Sequence, residues 1–441
     1  TGTLTLKGNN TYTGTTSINA GTLTLEGGLA SATDIVMSNT AVWDLQSAQT
    51  IASLMMTTGN SITNSSTRDS SLTVSGTSTL ANSVTTTLDQ TYSGAVNVQA
   101  NRLAGAVVLE SLKGNVTFDS TVSVATGHSK ADQVSLAVKA LNGTVAFNGV
   151  VGIPTSGNQQ NVLADLYNAV ANADGITSSN RLLWDLGVTA AAIKIRADIA
   201  TMGTQSYHGN VTIGGQNTTR SLISVDPSII FYNAVDAEVF DVNDPTKQYT
   251  LIVKALGFGD MNPQVTFKGD IGAGVQFYGL EAVTGKQVVG GNFGQAYSAR
   301  DTFIGAVTIA GDVTTFMNQT YSGNQIVIDK SGKVIFNTQK GTIDFIPGIN
   351  TSSGIKATQS GTQVEFKWMS GRLGPNTRDA FSAAGVKMIE PATNFRDAGQ
   401  IGREIMIDQK ELTRSGGTKP TVTVYDAVVT GCDVQDDQGH C

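Results

Sequence analysis

Few residues of this sequence have the type and spacing to do chemistry. The histidines, His128, His208 and His440, lie in different kinds of segment, and none has a Ser or Cys elbow or an acidic orienter near it, so no nucleophilic triad is expected. Asp433, Asp436 and Asp437 could meet a cation, but a calcium loop needs more ordered oxygen ligands than this spacing offers, and the run reads as solvated loop. Gly290-Gly291-Asn292-Phe293-Gly294 lacks the lysine and the following helix of a phosphate loop and reads as a turn. Tyr12, Tyr92, Tyr207 and Tyr321 could stack on sugar rings, yet a ring at one point of a repeating unit is better accounted for by stacking inside the fold. No catalytic residue, metal ligand or cofactor is assigned, and no enzymatic activity is expected.

The only two cysteines, Cys432 and Cys441, both fall in the last ten residues. One short-range pair suits an exported protein with a single local disulfide better than a metal site, which would need more ligands. The formal net charge of −7, without a basic cluster, excludes a nucleic-acid surface. No run of about 20 apolar residues would span a bilayer as a helix. The opening Thr1-Gly2-Thr3-Leu4-Thr5-Leu6 reads as a strand in progress and not as an export signal, so a larger precursor is expected.

The elements carrying these residues are expected to be short strands. Charged residues make up 14% of the 441, and Gly (49), Thr, Ser, Asn and Val supply most of the chain. Thr and Val fit a pleated surface, while Gly and Asn accept the backbone of sharp corners. An aromatic-x-Gly unit recurs at Tyr12, Tyr92, Tyr207, Phe303 and Tyr321, the last two 18 residues apart, which suits one coil. A Val-x-Phe unit recurs at Val116-Phe118, Val145-Phe147, Val265-Phe267, Val334-Phe336 and Val364-Phe366, with both large residues on one strand face. Repeats of this kind predict a right-handed parallel β-helix, each coil hydrogen-bonded to its neighbours and stacking like side chains inside.

Four segments are expected. Residues 1–157 and 193–380 read as β-helix coils. Between them, 158–192 reads as a helical insertion, with helical spacing of Val162, Leu163, Leu166, Tyr167 and Val170 and a weaker helix over Asn180 to Ala191. Residues 381–441 hold 15 charges in 61 positions, against 48 in the preceding 380, and read as a linker and anchor. Within it, Met388 to Lys410 reads as irregular and Thr421-Val422-Thr423-Val424-Tyr425 as a strand.

The stretch from Gly8 through Tyr12 and Gly14 to Leu25 resembles the passenger-associated strand repeat of autotransporters. The Gln-Thr-Tyr-x-Gly and Val-x-Phe units are more similar to the repeats of filamentous-haemagglutinin-like, TpsA-type exoproteins of two-partner secretion. Gly431 to Cys441 resembles the terminal cysteine hook of the surface-retained adhesins of that class. The resemblance implies a cell-surface protein whose Cys432–Cys441 loop is held on the periplasmic side of a TpsB-type outer-membrane transporter. Such a loop closes about ten residues, would be stabilised by roughly 2.7 kcal/mol, and is too bulky to follow an extended chain through a narrow pore; an ordinary loop staple is the plainer reading. The resemblance also implies release by a periplasmic cysteine protease at a dialanine-glycine site, for which Ser382-Ala383-Ala384-Gly385 is the candidate, with Ser in place of the usual Thr. The function implied is membrane-proximal stalk and anchor, projecting an adhesive region toward neighbouring cells or extracellular polysaccharide. A polysaccharide-binding or polysaccharide-degrading β-helix and an autotransporter passenger are the alternatives.

Overall fold

The computed structural model describes residues 2–99, 105–125, 133–152, 182–225, 227–257, 262–285, 305–347, 354–359, 362–368, 372–374, 377, 380–381, 387–391, 405–408 and 428–429. These fall into two compact units, Thr1–Asn233 and Ala234–Cys441. Each is built from short parallel strands stacked coil on coil, a parallel β-helix, as the repeats predict.

In the first unit the chain winds through three stacks. One begins with Thr3–Leu6, Thr22–Leu25, Val42–Leu45 and Ser61–Thr63. A second holds Gln49–Ile51, Leu72–Val74, Gln90–Tyr92 and Val116–Phe118. The third holds Thr16–Ile18, Asp34–Met37, Ser53–Met55, Ser78–Leu80, Val96–Val98 and Val122–Val124. Thr3 lies beside Thr22 and Thr22 beside Val42, so early coils take 19 or 20 residues. Later coils lengthen: Val107 pairs with Leu136, 29 residues on.

Inward positions carry the apolar residues because alternate side chains of a strand face opposite sides. Val116 and Phe118 stand in register with Val145 and Phe147, and all four are fully buried. Each such Phe contributes about 2–3 kcal/mol of hydrophobic stabilisation. The Tyr92, Phe118 and Phe147 rings form a ladder with centroids 5.5 and 5.1 Å apart and planes within 13° and 5° of parallel. That spacing is the inter-strand distance of a sheet with a slight offset.

Corners use two devices. Where the ladder breaks, an Asp or Asn side chain reaches the backbone of the next coil. Asp89 Oδ1 accepts from the Asn115 N–H at 2.7 Å, Asn115 Oδ1 from Thr144 at 2.8 Å and Asp185 Oδ1 from Thr204 at 2.7 Å. Asp270, Asp312 and Asn318 do the same in the second unit. Buried backbone donors that would otherwise be orphaned are thereby satisfied. At other corners glycines of successive coils touch: a Cβ on Gly94 would lie 2.2 Å from the Gly76 carbonyl oxygen, and one on Gly143 2.0 Å from that of Gly114. Only hydrogen fits there.

The expected helical insertion needs correction in its second part. Residues 158–181, with the first helical candidate, lie outside the described residues. The weaker candidate over Asn180 to Ala191 is not a helix where it is described: Leu186–Ile195 is a ten-residue strand. It pairs in parallel with Leu136–Phe147 before it and Gln205–Ile213 after it. Its Leu- and Ala-rich composition favours a helix weakly, and two full ladders override that preference.

The second unit repeats the plan. Thr250–Ala255, Gly279–Thr284, Gln319–Gly323, Thr342–Pro347 and Arg372–Leu373 form one stack. Gln264–Phe267, Ala306–Ile309, Gln325–Ile328 and Gly354–Ala357 form another. Val313–Thr315, Lys333–Thr338, Gln363–Trp368 and Lys387–Pro391 form the third. The third stack then changes character, for Lys387–Pro391 pairs antiparallel with Ile405–Asp408, and that strand antiparallel with Val428–Val429. The stretch Met388 to Lys410, read from sequence as irregular, therefore contains strand. The expected strand over Thr421 to Tyr425 lies outside the described residues.

Candidate functional site

Three of the recurring tyrosines occupy one internal arrangement. Tyr92, Tyr207 and Tyr321 are fully buried. Each hydroxyl donates to the amide oxygen of the glutamine two residues earlier: Tyr92 to Gln90 at 3.0 Å, Tyr207 to Gln205 at 2.9 Å and Tyr321 to Gln319 at 3.1 Å. Each glutamine donates onward to a threonine four residues before it, Thr86, Thr201 or Thr315, at 3.2 to 3.3 Å. It also donates to a carbonyl of the following coil, Glu110 at 2.9 Å, Ile223 at 2.7 Å and Asn337 at 2.6 Å.

The threonine completes the unit around one backbone oxygen. Thr86 and, from the next coil, Ser111 both donate to the Leu88 carbonyl; Thr201 and Ser224 to that of Gly203; Thr315 and Thr338 to that of Met317. Every buried polar atom so joined has a partner, which is the condition for a polar network inside an apolar core. Burial raises all three phenols well above the ordinary tyrosine value, so they stay protonated donors.

The motif is not confined to one stack. Tyr92 sits between Val74 and Phe118, in the second stack of the first unit, and Tyr207 between Val188 and Phe231, in the first. Tyr321 lies between Ala282 and Phe345. Tyr12, read as a fifth stacking residue, is 43% exposed and in no strand. It stands in the connection between Thr3–Leu6 and Thr16–Ile18, where its hydroxyl accepts from Thr16 at 3.1 Å. Phe303 lies outside the described residues, as do Cys432, Cys441, Ser382, Ala383, Ala384 and Gly385.

Charge is placed sparingly. Asp44 is 5% exposed and accepts from Ser65, through backbone and hydroxyl, from Gln46 and from Thr24. Burial by itself would raise its pKa, but these bonds outweigh it and hold the carboxyl below the usual value. Asp198 is shifted the other way, up, because desolvation outweighs the Ser221 N–H and the nearby Arg220 guanidinium. Lys254, 3% exposed, meets Glu281 at 2.7 Å, and burial still pulls its ammonium pKa down. None of these pairs lies beside a nucleophile. Exposed His208 stacks on Tyr232 with centroids 3.7 Å apart. His128 and His440 lie outside the described residues. Among the described residues no group of three or more His, Cys, Asp and Glu side chains could hold a metal ion.

On the outer surface of the second unit, one corner differs from the Thr, Ser and Asn that cover most outward positions. A loop of residues 238–249 carries exposed Val239 and Val242, and its Phe240 ring lies 5.4 Å from that of Phe316. Tyr278 stacks on the other side of Phe316 at 6.0 Å, and the Lys340 ammonium lies 5.3 Å from the same ring. Gln339 donates to Gln276 at 3.3 Å beside them. This cluster escaped the sequence reading because its members are 240, 276–278, 316 and 339–340, brought together only by the winding.

Comparison with known families gives one match. Residues 1–25 match the family model described as passenger-associated-transport-repeat. The matched residues make one complete coil, from Thr3–Leu6 through Thr16–Ile18 to the in-register strand Thr22–Leu25. No curated protein and no solved structure matches the chain. The repeat marks the chain as resembling the secreted passenger proteins of type V secretion.

Proposed function

We propose that this chain is the stalk and anchor of a large bacterial surface adhesin of the two-partner class, with no catalytic role. The observation that carries the reading is the coil at residues 1–25. It matches a transport-associated passenger repeat and continues in register into the strands that follow. A parallel β-helix suits a spacer, since each coil is stabilised by its neighbours alone and coils can be added without redesign. On this reading, the stalk projects an upstream adhesive region toward neighbouring cells or matrix. Cys432 and Cys441 form the hook, held in the periplasm by a TpsB-type transporter, and a periplasmic cysteine protease releases the protein at Ser382-Ala383-Ala384-Gly385. The passenger-associated repeat is equally a feature of conventional autotransporters, and this second reading needs no hook.

The test is Cys432→Ser with Cys441→Ser in the full-length protein, comparing adhesin in the medium with adhesin on cells. The hook reading expects the protein to move into the medium; unchanged surface retention refutes it and favours the autotransporter reading. Replacement of Ala384 and Gly385 by bulky residues is expected to abolish release by the protease.

A further inference from the structure

The outer corner of the second unit has the composition of a ligand surface. Tyr249, Tyr278, Met317 and Lys340 follow one another along it, each backbone joined to the coil before. Tyr278 N–H donates to Tyr249 at 2.7 Å, Met317 to Tyr278 at 2.6 Å and Lys340 to Phe316 at 2.8 Å. Four consecutive coils thus present one strip, about 14 Å long at the usual inter-strand spacing. Its middle is aromatic, with Phe316 flanked by Phe240 and Tyr278, and both flanking rings are half-exposed. One side is amide, from half-exposed Gln276 and Gln339, whose mutual contact at 3.3 Å is long enough for a ligand hydroxyl to replace. The other side is the 238–249 loop, with exposed Val239 and Val242.

We infer that this strip, Phe240, Tyr278 and Phe316 with Gln276 and Gln339, binds a neutral polysaccharide chain laid along the coil stack. The inference rests on the proposed surface role, which it deepens by naming a ligand class and a place. Ring faces accept the apolar C–H face of a hexose, and flanking amides match its hydroxyls in both donor and acceptor roles. The strip extends along the coil direction, as a polymer ligand requires. Its loop carboxylates are committed locally: Asp244 pairs with Lys247 at 3.0 Å, and Asp241 accepts from the Asn243 N–H at 2.9 Å. A neutral ligand therefore fits better than a strongly charged one.

The protein is titrated by calorimetry with cellohexaose, mannohexaose and xylohexaose, and with an oligogalacturonate as the anionic control. At least one neutral hexamer is expected to bind more tightly than the control. Tyr278→Ala and Phe240→Ser are each expected to weaken it by about tenfold. Gln276→Ala serves as a variant that leaves the rings in place, and is expected to weaken binding with the thermal midpoint unchanged. Failure of every neutral hexamer to bind, or binding unaffected in all three variants, overturns the site. So does self-association that Phe240→Ser abolishes without any saccharide binding, which would assign the strip to a second copy of the chain. The cysteine variants above do not touch this surface, so loss of tethering with sugar binding intact, or the reverse, separates the two proposals.

Discussion

Replacement of Gln205 by Leu tests whether the buried corner network stabilises the coils or only accompanies them. Leu keeps most of the volume and removes both polar ends. The Tyr207 hydroxyl then loses the acceptor at 2.9 Å, and the Ile223 carbonyl loses the donor at 2.7 Å, both deep inside. Each orphaned group costs about 1–3 kcal/mol, so Gln205→Leu is expected to cost about 2–5 kcal/mol in the surrounding coils. Tyr207→Phe keeps the ring stacked on Phe231 at 5.1 Å and orphans only one amide oxygen, about 1–2 kcal/mol. The double variant removes donor and acceptor together and should cost less than the sum by about 1 kcal/mol or more. A stacked repeat need not unfold in one step, so a single global midpoint would blur the effect. Hydrogen exchange of peptides spanning 199–213 and 219–224 reads it locally, tenfold faster exchange corresponding to about 1.4 kcal/mol. Strict additivity, or unchanged exchange in Gln205→Leu, would refute the network's role.

Three further outcomes follow from the same geometry. Gly94→Ala should destabilise its coils by about 2 kcal/mol or more, because the new methyl carbon meets the Gly76 carbonyl at 2.2 Å; Gly14→Ala, with nothing within 4 Å, should stay within about 0.5 kcal/mol in the same melting assay. Asp44 has a lowered pKa, so its contribution is complete above the ordinary carboxylate value of about 3.9 and is lost as pH falls through the folded value. Exchange around 44–65 should accelerate on acidification, and an identical profile in Asp44→Asn would exclude Asp44 as the cause. Asp198 has a raised pKa, so the sign reverses. Its stabilisation is present at low pH and lost as pH rises through the folded value, and mild acid should slow exchange at Ser221 in the wild type but not in Asp198→Asn.

The part of this architecture that alternation encodes was legible before any coordinates. Val-x-Phe places two large residues on one face, and Val116, Phe118, Val145 and Phe147 stack as that pattern demands. The tyrosines were legible as a repeat but not as a network. The signal was present, a Thr four residues before each Gln-x-Tyr, but the chain turns a corner between them, where no fixed periodicity holds. The motif's use in two different stacks also explains why its spacings are not multiples of one coil length. Arg220 and Lys254 are buried although their residue type predicts exposure, since outward positions can still be covered in the fold. The segment around Leu186 misled for a simple reason: local preference for helix is weak, and pairing on both edges is not visible in one strand's own sequence.

The pairing of Leu136 with Leu186 has a consequence beyond the fold itself. Those residues are 50 apart, while the next step, Leu186 to Gln205, is 19, yet the register on both sides is kept. A chain can therefore lengthen greatly between two coils without disturbing the axial order. The entropic cost of closing a longer loop grows only with the logarithm of its length, roughly 0.6 kcal/mol for each doubling. Such a lineage can acquire or discard whole appendages at one corner while its stalk stays the same, so evolutionary change in what is displayed is decoupled from change in what holds it up.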